Sequence, residues 1–255
     1  MRRTIILVLI FILLGGFLMG TSLTVMTYNI RHGLGIDDVF NFSRVVKTIK
    51  EVDPDILILN EVDQGNPRSG EMYQAEIIAE ELDMNYFFSP TEDKSDYGNA
   101  ILSKFPIKEE FDFVLPQPEW MLAVDRGCAA IITEIEGKEV LVMGTHLGLG
   151  GIMEVQRELR GILEVYYKYK NTPTIIAGDF NAELFDLQYG VPELFEHFRS
   201  VNHALNKDLH TIPADRPGSQ IDYIFVNDYF EINDAFTVSS YASDHLPVVA
   251  KLELK

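Results

Sequence analysis

Short apolar runs alternate along this chain with segments of helical periodicity, and this alternation constrains the fold more than any other feature. The run LTVMTYNI is followed by a helical stretch over residues 41–51 and then by DILILNEV. Later runs of strand character include CAAIITEI, KEVLVMGTHL, PTIIAG, IDYIFV and PVVAKLEL, and helical patterns cover residues 73–82 and 153–169. Such alternation is typical of an α/β fold, in which helices cover sheets.

Several predicted strands are close enough in sequence to pair as antiparallel hairpins, while others need a helical crossover. DILILN and TIIAG are apolar on both faces, which predicts central strands, whereas KLELK alternates and is predicted nearer an edge. We therefore expect two packed, mixed sheets with helices outside them. A chain of 255 residues can form one large core, and no linker or repeat divides it, so a single domain is expected.

Polar residues suited to catalysis share one position, because each lies close to an end of a predicted strand. At such edges of α/β sheets the loops converge, so residues far apart in sequence can meet in one site. Taken singly, each residue is as often a solvated strand end, a turn residue or a core histidine. Taken together they predict one pocket, formed by Asn29, Glu61, His146, Asp179, Asn181, Asp222, Asp244 and His245.

The charge of the chain favours a bound cation over a polyanion. The sequence has 39 acidic and 21 basic residues, a formal net charge of -18, and no cluster of lysine or arginine. Such a field repels nucleic acid and attracts divalent cations. The predicted pocket offers carboxylates, amides and two imidazoles, while the single cysteine, Cys128, lies in an apolar run. These donors suit Mg²⁺ or Mn²⁺ better than zinc.

Seven motifs occur in an order that resembles the endonuclease/exonuclease/phosphatase superfamily, whose members include deoxyribonuclease I, abasic-site endonucleases, neutral sphingomyelinases and inositol polyphosphate 5-phosphatases. They are TYNIRHG, LNEVD, YGNAILSKFPI, THL, GDFNA, IDYIFV and SDHLPV, within residues 23–254. The resemblance implies a four-layer α/β sandwich with the site at the tip of two central sheets. It also implies hydrolysis of phosphoesters with a divalent metal.

By position, Glu61 resembles the principal metal ligand of the family, with Asn29 beside it and Asp244 as a second-site or water-linked ligand. The metal would polarise a phosphoryl oxygen. Asn99 and three flanking arginines are less specific: Asn99 is expected to shape a loop, and each arginine is as often an ion-paired surface group as a phosphate ligand. These arginines are Arg31, Arg68 and Arg126.

The remaining roles also follow from the resemblance. Asp179 resembles the acid that orients or deprotonates the attacking water, and Asn181 resembles the amide that holds the phosphate. His245 resembles the imidazole that faces the phosphorus, with Asp222 fixing its tautomer. Whether Asp179 or His245 takes the proton stays open. His146 matches a second histidine, a candidate general acid for the leaving oxygen.

The amino-terminal segment is of a different kind. Met1-Arg2-Arg3 precedes an uncharged apolar stretch, so residues 1–22 are predicted to be an export signal that is cleaved or kept as a membrane anchor. In both cases the catalytic domain, residues 23–255, would be exported, either secreted or anchored to the membrane outside the cytoplasm. We expect a monomer.

The favoured function is hydrolysis of a phosphodiester or phosphomonoester, with a small molecule or a lipid headgroup as substrate. An extracellular nuclease resembling deoxyribonuclease is an alternative that the charge of -18 disfavours, because phosphate contacts normally recruit lysine and arginine. A non-catalytic binding module of the same fold is a further alternative. Such a module would be expected to have lost some of the acids and histidines of the pocket, and all are present.

Overall fold

The computed structural model describes residues 20–91, 95–117 and 125–255. The strands are β1 (Thr21–Asn29), β2 (Ile56–Asn66), β3 (Met72–Tyr73), β4 (Asn85–Pro90), β5 (Tyr97–Ser103), β6 (Ile107–Val114), β7 (Gly127–Ile135), β8 (Lys138–His146), β9 (Thr174–Asp179), β10 (Arg199–Ser200), β11 (Asp222–Val226), β12 (Phe230–Thr237) and β13 (Val248–Leu254). The helices are α1 (Phe42–Val52), α2 (Gln74–Leu82), α3 (Ile152–Tyr166), α4 (Leu184–Gly190), α5 (Pro192–His197) and α6 (Val201–Ala204).

Two mixed sheets form the centre of the fold. One has the strand order β12-β13-β1-β2-β5-β4, with β3 paired to β2, and the other has the order β10-β11-β9-β8-β7-β6. Each sheet contains one parallel pair, β1 with β2 in the first and β8 with β9 in the second. The packed sheets and their flanking helices confirm the predicted four-layer α/β sandwich.

Alternation within the strands produces the layers. Ile56 and Ile58 of β2 join Val142 of β8 in the core between the two sheets. Leu57, on the opposite face of β2, packs in a second core with residues of α1 and α2. Met143 of β8 belongs to a third core, formed with α3, α4 and α5. Because both faces of these strands are covered in their central parts, the runs ILIL of β2 and VLVM of β8 are apolar without alternation.

KLELK was predicted nearer an edge than the doubly apolar strands, and the strand order confirms this, although the segment is not itself the edge strand. This segment belongs to β13, which lies between β12 and β1. Ala250 and Leu252 enter the core between the sheets, whereas Lys251 and Glu253 are half-buried on the other face. Lys251 Nζ donates there to the Thr24 hydroxyl at 2.6 Å. The polar alternation therefore marks an outer face that water reaches, in the interior of a sheet.

The strand directions bring six strands to one end of the sandwich. Parallel pairing makes β1 and β2 finish together, and the same holds for β8 and β9. The antiparallel strands β11 and β13 start at this end, since Asp222 pairs with Asp179 and Val248 pairs with Thr27. The start of β1, at Thr21, lies at the opposite end.

The predicted export segment, residues 1–22, lies outside the described residues except for residues 20–22, of which Thr21 and Ser22 begin β1. Within the part of the chain that the structure describes, no helix is long and apolar enough to cross a membrane.

Candidate active site

The structure brings the residues of the predicted pocket to one end of the two sheets. Asn29 at the end of β1 and Asp179 at the end of β9 meet across the gap between the sheets, where Asn29 Nδ2 donates to Asp179 Oδ2 at 3.0 Å. Asp222, at the start of β11, is the strand partner of Asp179. His146 ends the parallel neighbour of β9 and pairs with Asp179 as well. The two sheets thus supply opposite walls of one site.

Asp179 lies at the centre of the site and is 1% exposed. Its Oδ2 lies 3.6 Å from His146 Nε2 and 3.7 Å from His245 Nε2. Its Oδ1 accepts the backbone N–H of Asn181 at 2.9 Å. Burial, followed by the negative charge of Asp222, raises the pKa of Asp179. A carboxylate with a raised pKa between two imidazoles is suited to accept a proton from a bound water.

The two histidines differ in charge at neutral pH. Burial lowers the pKa of His146 to about 4, because the attraction of Asp179 is too weak to offset desolvation. Burial also acts to lower the pKa of His245, but the charge and hydrogen bond of Asp222, 2.8 Å from Nδ1, outweigh it and raise this pKa to about 10. At neutral pH, His146 is therefore neutral and His245 is an imidazolium.

Glu61 is directed into the site by an irregularity in β2. The register of β2 against β5 shifts between Leu59 and Val62, and the φ angle of Glu61 is 58°. A left-handed backbone at a residue other than glycine is uncommon, and such strain concentrates at functional sites. Glu61 Oε1 accepts Asn29 Nδ2 at 3.1 Å. Burial, with a contribution from the charge of Asp244, raises the pKa of Glu61.

Glu61, Asn29 and Asp244 fit a divalent metal by their chemistry. They offer carboxylate and amide oxygens, the donors that hard cations prefer. The mutual repulsion of Glu61 and Asp244 is a cost that a bound cation would remove. Asp244 is also close to a cation, since its Oδ2 lies 3.6 Å from Arg31 Nε.

A second group of donors lies deeper. Candidate ligand atoms of Asp179, Asp222 and His245 lie within 4.8 Å of one another. Asp222 Oδ1 is buried and has no hydrogen-bond partner among the described residues. A cation bound by the ring nitrogen of His245 would compete with a proton there, because Asp222 raises the pKa of this ring to about 10. The Glu61 group involves no such proton and stays the predicted metal site.

Asn181 borders the pocket from the turn after β9. Its φ angle is 47°, and its side-chain Nδ2 donates to the carbonyl oxygen of Leu147 at 2.8 Å. An amide group carries two N–H donors, so one donor is left for a further acceptor. Gly178, in β9 just before this turn, has a φ of 145°, and a Cβ atom there would lie 1.8 Å from the Thr145 carbonyl oxygen. Only glycine permits this approach of β8 and β9.

Sequence reasoning missed Asn60, which links the two sheets beneath the site. Its Oδ1 accepts the backbone N–H of Asp179 at 3.0 Å, and its Nδ2 donates to the Thr145 carbonyl at 2.9 Å and to Asn99 Oδ1 at 2.8 Å. The sequence signal was an amide directly after the apolar run ILIL, and the structure shows that this amide is fully buried. Asn99 was predicted to shape a loop, and this prediction is wrong. It is a buried residue of β5, and its side chain donates to the Gly127 carbonyl at 3.1 Å.

Ser243 is a second residue that sequence reasoning missed. Its hydroxyl donates to the Asn29 carbonyl at 2.7 Å and accepts the backbone N–H of His245 at 3.2 Å. Ser243 therefore ties the segment that carries His245 to the end of β1.

The flanking arginines have neighbours of their own. Arg31 lies 3.3 Å from Asp38 as well as beside Asp244, and Arg68 makes a two-pronged contact with Asp63. The charge of Arg126 contributes to lowering the pKa of His146.

Exposed apolar side chains follow two of the site residues, His146 and Asn181, in the chain, and we call them the apolar wall. They come from the loop after β8, from the start of α3 and from α4, and Phe185 and Tyr189 of α4 stack with ring centroids 4.5 Å apart. The start of α3 contacts α4, since a Cβ atom at Gly190 would meet the Ile152 side chain at 2.8 Å. The apolar wall consists of Leu149, Met153, Phe185 and Tyr189.

The fold and the site together define a hydrolase of phosphoester bonds that depends on a divalent metal. The chain belongs to the endonuclease/exonuclease/phosphatase family, whose model matches residues 26–245. No curated protein matches the chain in sequence.

Solved structures share the fold at low sequence identity. A family member from Bacteroides thetaiotaomicron is 22% identical with a TM-score of 0.76, covering 92% of this chain and 99% of its own. A mannosyl-6-phosphatase from the same organism is 22% identical with a TM-score of 0.75, covering 90% and 99%. The TDP2 protein of D. rerio, in complex with a single-strand DNA product, is 17% identical with a TM-score of 0.70, covering 91% and 99%.

Proposed function

We propose that this protein is an exported phosphoesterase that uses Mg²⁺ or Mn²⁺ to hydrolyse a small or lipid-headgroup phosphoester. The observation that carries the chemistry is the position of Asp179, 3.6 Å and 3.7 Å from the Nε2 atoms of His146 and His245. A buried acid between a neutral and a charged imidazole can exchange protons with water and substrate. The predicted roles of the individual residues are part of this proposal.

Asp179 has the raised pKa of a base that takes a proton from the attacking water. His245, protonated and held by Asp222, would face the phosphoryl group and stabilise its negative charge. His146 is neutral, so it would donate a hydrogen bond to the leaving oxygen, which is a smaller part than the proton transfer implied by the resemblance. A divalent metal held by Glu61 polarises a phosphoryl oxygen when it is bound.

The charges around the site favour a small substrate over a nucleic acid. Arg31 is close to two acids and Arg68 to one, so both are largely neutralised before a substrate arrives. Binding to a nucleic acid strand needs several lysine or arginine contacts to phosphates, and the chain has a net charge of -18. The apolar wall supports a leaving group with an apolar or ring-shaped surface. Sugar phosphates and lipid phosphoesters both meet this description.

The position of β1 bears on any role at a membrane. This strand has nine residues, and at ~3.3 Å per residue its ends are roughly 26 Å apart. The predicted anchor would join the chain at the end of β1 that is remote from the site. An anchored enzyme would then present its site away from its own bilayer, which favours a soluble phosphoester or a lipid outside that bilayer.

The test is an activity screen of the purified full chain with Mg²⁺, with Mn²⁺ and with a chelator. The substrates are mannose 6-phosphate, p-nitrophenyl phosphate, bis-p-nitrophenyl phosphate, phosphatidylcholine vesicles and single-stranded DNA. We expect metal-dependent release from a small or lipid phosphoester, little activity on DNA, and loss of activity in Glu61→Gln but not in the exposed control Glu164→Gln. Inactivity on every substrate, or activity that survives the chelator, would contradict the proposal.

Export has its own test. Mass spectrometry of the protein recovered from intact cells would show whether residues 1–22 are removed, and cell fractionation would show where the chain resides. Full-length chain recovered from the cytoplasm would contradict export.

A further inference from the structure

Two buried glutamates that the proposed chemistry does not use lie beneath the loop that follows His146. Glu154 and Glu158 are one turn apart on α3 and are 1% and 0% exposed. Glu158 Oε2 accepts the backbone N–H of Gly148 at 2.8 Å, and Glu154 Oε2 accepts that of Gly150 at 2.6 Å. Glutamates are almost never fully buried unless they have a specific partner. Here the partner is the backbone of one loop.

We call residues 147–151 the glycine loop. Its first residue, Leu147, forms hydrogen bonds with the site through both its backbone N–H and its backbone carbonyl. Leu147 N–H donates to the backbone carbonyl of Asp179 at 2.9 Å, and the Leu147 carbonyl accepts Nδ2 of Asn181 at 2.8 Å. The loop is thus held by α3 at Gly148 and by the end of β9 at Leu147, which places a carboxylate of α3 one residue away from the contact that orients Asn181.

The glycine loop packs against α3 too closely to admit a side chain at Gly148. A Cβ atom at Gly148 would lie 2.1 Å from the carboxyl carbon of Glu154. Gly151, which begins α3, has a φ angle of 86°. The glycines of the sequence LGLGG therefore let the loop settle directly on the two carboxylates.

We propose that Glu158, with support from Glu154, is a positioning residue for phosphoester hydrolysis: its carboxylate fixes the glycine loop and, through Leu147, the amide of Asn181. The inference rests on the proposed function, because Asn181 is the residue proposed to hold the phosphate. An apolar side chain at position 158 would fill the same space without desolvating a carboxylate. Packing alone therefore does not account for Glu158, whereas its contact with the glycine loop does.

The electrostatics show that Glu158 is a costly choice for packing alone. Burial raises the pKa of Glu158 to about 7, and the charge of Glu154 adds to this, while the hydrogen bond from Gly148 and the charge of Arg126 oppose it. A group with this pKa is partly protonated at neutral pH. Since one oxygen can accept the Gly148 N–H in either state, the essential property is the acceptor and not the charge.

This distinction gives a matched pair of variants. Glu158→Gln keeps an oxygen that can accept the Gly148 N–H, whereas Glu158→Leu keeps the volume and removes the acceptor. With p-nitrophenyl phosphate and bis-p-nitrophenyl phosphate, we expect Glu158→Leu to lower kcat by on the order of tenfold or more, because small misplacements of a site residue are expensive. Glu158→Gln should retain most of the wild-type kcat. Glu164→Leu, an exposed change on the same helix, controls for the leucine.

A double-mutant cycle tests the route through Asn181. If Glu158 acts by orienting the Asn181 amide, Glu158→Leu should have no further effect on kcat in an Asn181→Ala background. Additive losses in kcat would overturn the positioning role. So would full wild-type kcat in Glu158→Leu, or equal losses in the Gln and Leu variants.

Hydrogen exchange supplies a readout that needs no turnover. Residues 147–151 should exchange faster in Glu158→Leu than in the wild type or in Glu158→Gln, and unchanged exchange would show that Glu158 does not hold the loop. If the wild type hydrolyses no phosphoester while Glu158→Leu still loosens the loop, the proposed function is wrong, and with it the catalytic part of this inference.

Discussion

Replacing Asp222 with asparagine should convert His245 from a ring that is protonated at every physiological pH into one that is not. With Asp222 in place the pKa of His245 is about 10, although burial alone would lower it. In Asp222→Asn the main force that opposes burial is gone, so the pKa should return to ~6.5 or below. At about pH 8 the protonated fraction would then be roughly 3%, which predicts a loss of about thirtyfold in kcat/KM, whereas at about pH 5.5 most rings stay charged and the loss is small.

The assay is the pH dependence of kcat/KM at saturating Mg²⁺ for the wild type, Asp222→Asn and the exposed control Asp208→Asn. NMR titration of the His245 ring gives its pKa without turnover. The pair should also stabilise the fold fully below ~6.5 and lose this effect as the pH passes about 10. The melting-temperature deficit of Asp222→Asn should therefore shrink in strong alkali. A wild-type pH profile in Asp222→Asn, or a His245 ring that still titrates near its wild-type pKa, would refute the reasoning.

Four further outcomes are expected. Glu61→Gln should weaken Mg²⁺ binding in calorimetry by roughly a hundredfold and abolish most activity with little change in melting temperature; unchanged affinity would remove Glu61 from the metal site. Asn60→Leu should destabilise the fold by about 2 to 4 kcal/mol in urea titrations, because it leaves the Asp179 N–H and the Thr145 carbonyl buried and unpaired. Gly178→Ala should lower both stability and activity, because its Cβ would clash with the Thr145 carbonyl; wild-type melting would contradict this. If lipid is hydrolysed, zwitterionic vesicles should be preferred over anionic ones at low salt, with the difference shrinking as salt screens the charges, and the reverse order would contradict it.

Much of the fold follows from local sequence patterns. The doubly apolar runs of β2 and β9 indicate central strands, and the structure places both inside their sheets. The alternation in β13 predicted a position nearer an edge, and β13 lies next to the edge strand β12. The exact place was not predictable, because an outward face wetted by solvent and a sheet edge produce the same alternation. Helices α4 and α5 were missed for another reason: at seven and six residues, on either side of Val191, they are too short for a helical period to be read.

The sequence indicated which polar strand ends lie together, but not Asn60 and Ser243 beneath them and not the chemistry of the site. The polar ends of strands identified the residues that meet, since strand direction decides which ends share an edge. The protonation states of the two histidines could not be read from the sequence, because both His146 and His245 simply lie at or near an end of a strand. Their pKa values differ because Asp222, 23 residues from His245, contacts only that ring. The backbone geometry that directs Glu61 into the site also has no sequence signature, since it depends on how β2 meets β5.

The place of β13 between β12 and β1 has a consequence for the folding step on which activity depends. The segment just before β13 carries Asp244 and His245, and β13 itself joins β12 to β1. Until β13 pairs with β1, the segment that carries Asp244 and His245 is not held against the end of β1. A chain in which this pairing has not formed would therefore lack its charged imidazole in the site, so hydrolytic competence depends on a contact between strands that lie far apart in sequence.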